Sequence, residues 1–266
     1  MPSHTLDLQN KTVLLTGASS GIGAALVPML RERGARVALV GRSAATLATV
    51  ATAKDVAIVA NLEDAEQRLS AVAACISAFG HVDVLINNAG AGAYGSTVSM
   101  PEEVARRVFE IDFFAALHLC QLTVPHMPPG SLVVNVGSVG GQVILPWMSL
   151  YSAAKYAVTA LTDCLRVELS ANGIDVMGVY PGHVRTEFQQ HSLYGAAPQI
   201  VSADGNRFTI SSEECARAIL RGIEKRSRTV VVPAIYWFAI WLGRLMPGIL
   251  EKRLRRMMAQ IGSAGS

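Results

Sequence analysis

The sequence predicts an α/β chain: a mostly parallel, doubly wound sheet with helices on both faces, followed by an apolar helical extension at the C-terminal end. Three observations predict it. Short β-branched runs alternate with stretches of helical apolar spacing from residue 12 to residue 179. A glycine-rich turn stands directly after the first of these runs. Hydrophobic residues make up 51% of the chain and charged residues only 16%, which excludes a disordered polymer and supplies ample apolar surface for a core.

Taken in order, 12–16 and 36–40 read as strands around a helical stretch at 21–33, which makes one βαβ unit. The runs 56–59, 82–86, 132–136 and 174–179 continue the strands, with helices over 63–79, 102–124 and 151–171 between them. The chain carries no internal repeat. Residues 189–206 hold Gly195, Pro198 and Gly205 and read as a loop overhanging the strand ends, a candidate substrate lid.

Composition also narrows the partners. A net charge of +3 from 23 basic and 20 acidic residues is too small an excess for a nucleic-acid face. Cys75, Cys120, Cys164 and Cys215 are far apart and lack both a CxxC pair and a histidine at ligand spacing, so neither a metal nor a disulfide framework is signalled. The first residues show no basic stretch followed by an apolar run, so the expectation is a cytoplasmic protein.

The turn reads Thr16-Gly17-Ala18-Ser19-Ser20-Gly21-Ile22-Gly23, with the helix beginning inside it. Glycine lets the backbone turn tightly and come close to a pyrophosphate, while the helix start presents unpaired N–H groups and partial positive charge. Such a turn suits a dinucleotide. At the end of the second strand, an acid would favour NAD and an arginine the 2′-phosphate of NADP. Here Arg42 and Ser43 fill that place and no acid does, so NADP(H) is the preferred cofactor and NAD(H) the second.

Tyr151 and Lys155 are four residues apart and fall on one face of the 151–171 helix. A free phenol has a pKa near 10; an adjacent ammonium stabilises the phenolate and brings proton exchange toward neutral pH. Ser138, just after the 132–136 strand, offers a hydroxyl to hold a substrate oxygen in line with Tyr151.

Over residues 8–187 the chain resembles the short-chain dehydrogenase/reductase family. Thr16–Gly23 is similar to its TGxxxGxG turn, Asn87-Asn88-Ala89-Gly90 to its NNAG motif, Ser138 with Tyr151 and Lys155 to its catalytic set, and Pro181-Gly182-His183-Val184-Arg185-Thr186 to its PG-x-V-x-T segment. The resemblance implies a seven-stranded Rossmann fold, hydride transfer at a nicotinamide and a homodimer or homotetramer. It also implies diphosphate contact through Gly17, Ser19, Ser20, Gly21, Ile22 and Gly23. Asn88 and Gly90 would lie toward the adenosine side, Asn61 and Leu62 beside adenine, and Pro181, Gly182, Val184 and Thr186 beside the nicotinamide, whose ribose Lys155 would also bond. Asn61 stands where the family usually has Asp. Asp112 stands where it most often has Asn, and two readings stay open: a residue that bends its helix and serves a water chain to Lys155, or a carboxylate that favours the ammonium and opposes the tyrosinate.

From Thr229 the chain turns strongly apolar through Tyr236, Trp237 and Trp241, with Arg221, Lys225, Arg226 and Arg228 before it and Lys252, Arg253, Arg255 and Arg256 after. Shorter than the roughly 20 residues that cross a bilayer, this run reads either as a helix lying in a membrane interface or as one packing its aromatics on the sheet or another subunit. Residues 1–228 are therefore expected to form the Rossmann-fold catalytic domain and 229–266 a helical extension without independent folding. With Leu145, Pro146, Trp147 and Met148, the extension and the lid would make an apolar pocket mouth. The expected reaction interconverts a lipophilic secondary alcohol and a ketone. A catalytically silent dinucleotide-binding regulator or scaffold, and a reductase of carrier-bound 3-oxoacyl groups, are the other readings.

Overall fold

The computed structural model describes residues 5–197 and 208–263. Seven parallel strands run in the order β3 (Val56–Val59), β2 (Arg36–Gly41), β1 (Thr12–Thr16), β4 (Val84–Asn87), β5 (Leu132–Val136), β6 (Asp175–Pro181) and β9 (Thr229–Val232). Strand β1 pairs with β2 on one side and β4 on the other, so the winding reverses there and a crevice opens beyond the strand ends. A small second sheet pairs β7 (Val184–Arg185) with β8 (Ile210–Ser211).

The period of two along each strand sorts the core into two layers. Val13 and Leu15 point to the face covered by α1 (Gly21–Glu32), α2 (Ala44–Val50) and α7 (Ser212–Glu224). Leu14, between them, points to the face covered by α3 (Ala65–Phe79) and α5 (Ala115–Thr123). These side chains are fully buried, and burying each contributes about 1.5–3 kcal/mol. Helix α6 (Ser149–Glu168) packs along β6 and carries Tyr151 and Lys155 on its inner side.

Three elements differ from the sequence reading. The expected helix over 102–124 is α4 (Glu102–Phe109) and α5 joined by a π-helical turn, Glu110–Phe114, and Asp112 sits in that turn. An i→i+5 turn leaves no apolar period of its own, so spacing does not reveal it. Helix α7, a helix not among those the apolar spacing marks, opens with a capping box in which Ser211 and Glu214 satisfy each other's backbone N–H groups. Residues 229–232, placed with the C-terminal extension, are instead the seventh strand of the sheet, paired with β6. A four-residue apolar run adjoining a helical one cannot be divided by periodicity. Beyond it come α8 (Tyr236–Leu245) and α9 (Pro247–Ser263).

One helical stretch among the described residues, Glu102–His126, is long and apolar enough to cross a membrane. Its apolar side is spent on the sheet, where Ile111, Ala115, Leu119 and Cys120 join the core.

Candidate active site

The glycine turn lies where β1 hands over to α1. Gly17 and Gly21 take positive φ of 64° and 51°, which side chains other than glycine avoid. A Cβ on Gly23 would stand 2.0 Å from the carbonyl oxygen of Gly17, so the helix can start this close only without one. The turn is anchored across the switch point: Asn88 donates from Nδ2 to the carbonyls of Thr16 (3.0 Å) and Gly17 (3.2 Å), and Thr16 Oγ1 accepts from the N–H groups of Asn88 and Ala89. At the start of α1, Ser20 makes no side-chain cap and the first turn holds no acid. The start of α1 is thus uncapped by a side chain, and Ser20, Gly21 and Ile22 line the crevice, an arrangement that suits an anion.

A cleft of about 180 Å³ opens over this turn. Gly17, Ser19, Ser20, Gly21 and Ile22 form its floor; Arg42 from the end of β2, Leu62, and Asn88 with Gly90 form its sides. Arg42 is exposed and has no ion-pair partner among the described residues. Glu63, an acid on the same wall, is ion-paired with Arg107 at 2.9 Å. Three expected residues lie differently, Gly23 among them: it packs against the Gly17 carbonyl and does not line the cleft. Ser43 accepts from the N–H of Thr46 at 3.3 Å and caps α2, and Asn61 is outside the cleft with its Oδ1 accepting from the N–H of Glu63.

Next to this cleft, and sharing Ile22, Asn88, Gly90, Thr186 and Phe188 with it, is a cavity of about 240 Å³. Here Ser138, Tyr151 and Lys155 come together, along with Pro181, Gly182, Val184 and Thr186. All three of the first group are nearly inaccessible to solvent. Ser138 Oγ accepts from the N–H of Gly140 at 3.0 Å, which fixes its rotamer; the Lys155 Nζ lies 5.7 Å from the centroid of the Tyr151 ring. Val143, Leu145, Met148, Phe188 and Ala239 make much of the remaining wall apolar, with His183 and Gln189 as polar lining.

Lys155 is held from two sides. Its Nζ is 2.9 Å from Asp112 Oδ1 and donates to the Val136 carbonyl at 3.3 Å, while Asp112 Oδ2 accepts from the N–H of Ala91. Burial of the ammonium pulls its pKa down, but the Asp112 carboxylate and the Tyr151 phenol outweigh burial and hold it above its ordinary value. Asp112 itself is shifted up by burial, against the pull of Lys155. For Tyr151 the sequence reading expected acidification by Lys155. Instead the pKa is raised: burial dominates, Lys155 and the Ser138 hydroxyl work against it, and the Asp112 carboxylate adds to it. A lysine four residues along is visible in sequence, but the desolvation of the phenol is not.

Several side chains at this site were not foreseen. Phe188 sets its ring edge-on to Tyr151 with centroids 5.6 Å apart. His183 Nδ1 lies 2.8 Å from the Tyr236 hydroxyl, which brings α8 onto the cavity rim. Beneath the floor, Asn87 donates to Asn135 Oδ1 (2.9 Å) and Asn135 to Thr162 Oγ1 (3.0 Å), a buried polar ladder tying β4, β5 and α6. Within that ladder only Asn87 lies in a motif of the sequence; Asn135 and Thr162 come from remote segments.

The candidate lid is described to residue 197. That part is pinned to the 91–95 loop, where Leu193 N–H donates to the Gly92 carbonyl and Tyr94 N–H to that of Tyr194. Residues 198–206 of the expected lid lie outside the described residues. Of the extension's four aromatics, Tyr236 packs inward, whereas Trp237, Phe238 and Trp241 are exposed.

Fold and crevice define an open α/β chain of the dinucleotide-binding class. More narrowly, the chain belongs to the short-chain dehydrogenase/reductase family of oxidoreductases: the family model for short chain dehydrogenases matches residues 11–195. It is similar to the dehydrogenase/reductase SDR family member 7B of Bos taurus, 31% identical over 269 residues and covering 91% of this chain and 79% of that one. The protein of the same name from Xenopus tropicalis is 32% identical over 259 residues, 91% of this chain and 84% of its own. Among solved structures, a short-chain dehydrogenase from Burkholderia cenocepacia in complex with NADP superposes with a TM-score of 0.80 at 26% identity, over 94% of this chain and 99% of that one. A family member from Burkholderia phymatum in complex with NAD reaches 0.83 over 92% and 96%; at 21% identity it speaks for the fold alone.

Proposed function

We propose that this chain is an NADP(H)-dependent oxidoreductase that interconverts a lipophilic secondary alcohol and its ketone. The observation that carries the reading is the convergence of Ser138, Tyr151 and Lys155 on one apolar cavity that opens into the glycine-turn cleft. The cleft fits a nicotinamide dinucleotide on its own geometry: Gly17 and Gly21 line it with the positive φ that turns the backbone beneath it, and the start of α1, without a side-chain cap from Ser20, offers its N–H groups to the diphosphate. The NADP complex of the Burkholderia cenocepacia relative agrees with that fit.

Ile22 and its neighbours in the turn would hold the diphosphate, Arg42 the 2′-phosphate, and Val184 with Thr186 the nicotinamide side. When bound, the nicotinamide supplies or accepts the hydride. Ser138 hydrogen-bonds the substrate oxygen and holds it in line with the phenol. In reduction, Tyr151 donates its proton to that oxygen; in oxidation, its phenolate takes the alcohol proton. Because the pKa of Tyr151 is raised, its resting form is the neutral phenol, which is the form reduction needs. Lys155, fixed as an ammonium by Asp112, stabilises the phenolate when it forms. The apolar wall selects a lipophilic substrate and keeps water from the proton path.

A panel of hydrophobic ketones assayed with NADPH and with NADH tests the reading. The expected result is cofactor consumption with NADPH favoured. Binding of NADPH without turnover across the whole panel would overturn it and favour a silent, dinucleotide-sensing role.

A further inference from the structure

Helix α8 has two opposed apolar faces. Tyr236, Ala239, Ile240 and Gly243 turn inward: the first two line the cavity, Ile240 is buried, and a Cβ on Gly243 would touch Val143. Trp237, Phe238, Trp241 and Leu245 share the other face by their spacing and are 42%, 69%, 61% and 66% exposed. A helix that is apolar all round is ordinarily buried all round, yet this one has protein on one side alone. Met246 and Ile249, each more than half exposed, carry the apolar stripe into α9. A continuous patch of two tryptophans, a phenylalanine and aliphatic side chains marks a surface that something covers.

The charges of the adjoining segment say what. In α9, Ile249, Lys252, Arg253 and Arg256 recur at i, i+3, i+4 and i+7 and so share a face, while Leu250, about 100° round the helix from Ile249, packs inward. From residue 244 to residue 256 there are five basic side chains and one acid, Glu251, which is already ion-paired with Arg255. A two-fold contact between copies through this corner would bring these like charges together. An anionic bilayer satisfies both features, taking the apolar stripe among its headgroups and acyl chains and the basic residues against its phosphates.

We propose that α8 and the first turns of α9 dock the chain on an anionic phospholipid surface, so that the helix meeting the bilayer through Trp237, Phe238 and Trp241 also walls the cavity through Tyr236 and Ala239. A lipophilic substrate dissolved in the bilayer then has only the thickness of one helix to pass. The docking does not depend on the reaction assigned above, whose failure would show as absent turnover and leave vesicle binding unchanged.

The test is co-sedimentation of the full chain with vesicles of phosphatidylcholine alone and of phosphatidylcholine mixed with phosphatidylserine. The expected result is binding about tenfold tighter to the anionic vesicles, weakening as salt rises. Trp237→Ser, Phe238→Ser and Trp241→Ser combined should lower that binding by about tenfold or more while turnover of a small water-soluble ketone is kept, since none of the three lines the cavity. Lys252→Glu with Arg256→Glu should erase the preference for phosphatidylserine. Wild-type protein that stays in the supernatant with both vesicles, or a triple variant that sediments like wild type, would overturn the proposal. If in addition gel filtration showed the triple variant at half the wild-type mass, the stripe would be assigned to a second copy instead.

Discussion

At the dinucleotide end of the crevice the essential geometry lies within eight residues of chain, Thr16 to Gly23, and is made of backbone; at the substrate end the walls come from Tyr94, the 138–148 loop, α6, the 181–188 segment and α8, and are made of side chains. Adding one carbon shows the difference. On Gly23 a Cβ would meet the Gly17 carbonyl oxygen at 2.0 Å, and nothing there can move without undoing the turn. On Gly182 it would meet the Tyr236 ring at 2.1 Å, and the ring belongs to a helix that packs from outside. The first end is fixed by what a pyrophosphate needs from a backbone, whereas the second is free to change shape as side chains change. One family can therefore keep a cofactor site while varying its substrates.

The largest expected effect falls where the two ends meet. Tyr151→Phe removes the proton donor and keeps the ring that packs edge-on to Phe188, so kcat should fall by about 10³ while the dissociation constant for NADPH changes little. Titration of NADPH fluorescence beside steady-state kinetics checks both halves. Equal loss in both would mean that the ends are one structure and the comparison is false. Next comes Arg42→Ala. One lost charge-assisted contact is worth about 1.5–3 kcal/mol, so the ratio of kcat/KM with NADPH to that with NADH should fall by roughly ten- to a hundredfold. An unchanged ratio would remove Arg42 from cofactor choice.

Gly23→Ala and Gly182→Ala sharpen the comparison itself. The first should cost about 1–3 kcal/mol in stability and weaken NADPH binding, because the clash is with backbone. The second should raise the KM for ketone more than the dissociation constant for NADPH, because Tyr236 and α8 give way. Thermal melts and paired titrations of the two variants decide the matter; a Gly182→Ala variant that loses NADPH affinity as strongly as Gly23→Ala would erase the distinction.

The same difference explains what the sequence reveals. The strands, the glycine turn and the Tyr151/Lys155 pair are legible because each is written in neighbouring residues: alternation in Val13–Leu14–Leu15, glycines in one short run, two side chains four apart on one helix. Neither Phe188 nor the His183–Tyr236 contact is legible, since each depends on segments tens of residues apart meeting at the rim. Strand β9 was hidden by the apolar helix that follows it, and Asn61 by an analogy of position that its own Asx turn overrides. Asp112 lies between these cases: its departure from the family pattern is plain in sequence, but only the π turn shows why its carboxylate reaches Lys155.

That carboxylate gives the smallest effect expected and the one that best separates charge from shape. Tyr151 is flanked by Lys155, Ser138, Tyr94 and Asp112, and of these Asp112 alone supplies negative charge that raises its pKa. Asp112→Asn keeps the shape of the side chain and removes the charge, so the pKa of Tyr151 should fall over the pH range in which Lys155 is still an ammonium. Oxidation of an alcohol needs the phenolate, and its rate climbs as pH passes that pKa; a lower pKa therefore moves the acid limb of the oxidation profile to lower pH. Lys155 loses the partner that holds its own pKa up, so the basic limb should come down too and the active window should shift as a whole. A variant of unchanged melting temperature whose acid limb stays in place would show that Asp112 serves the bend of its helix and not the proton.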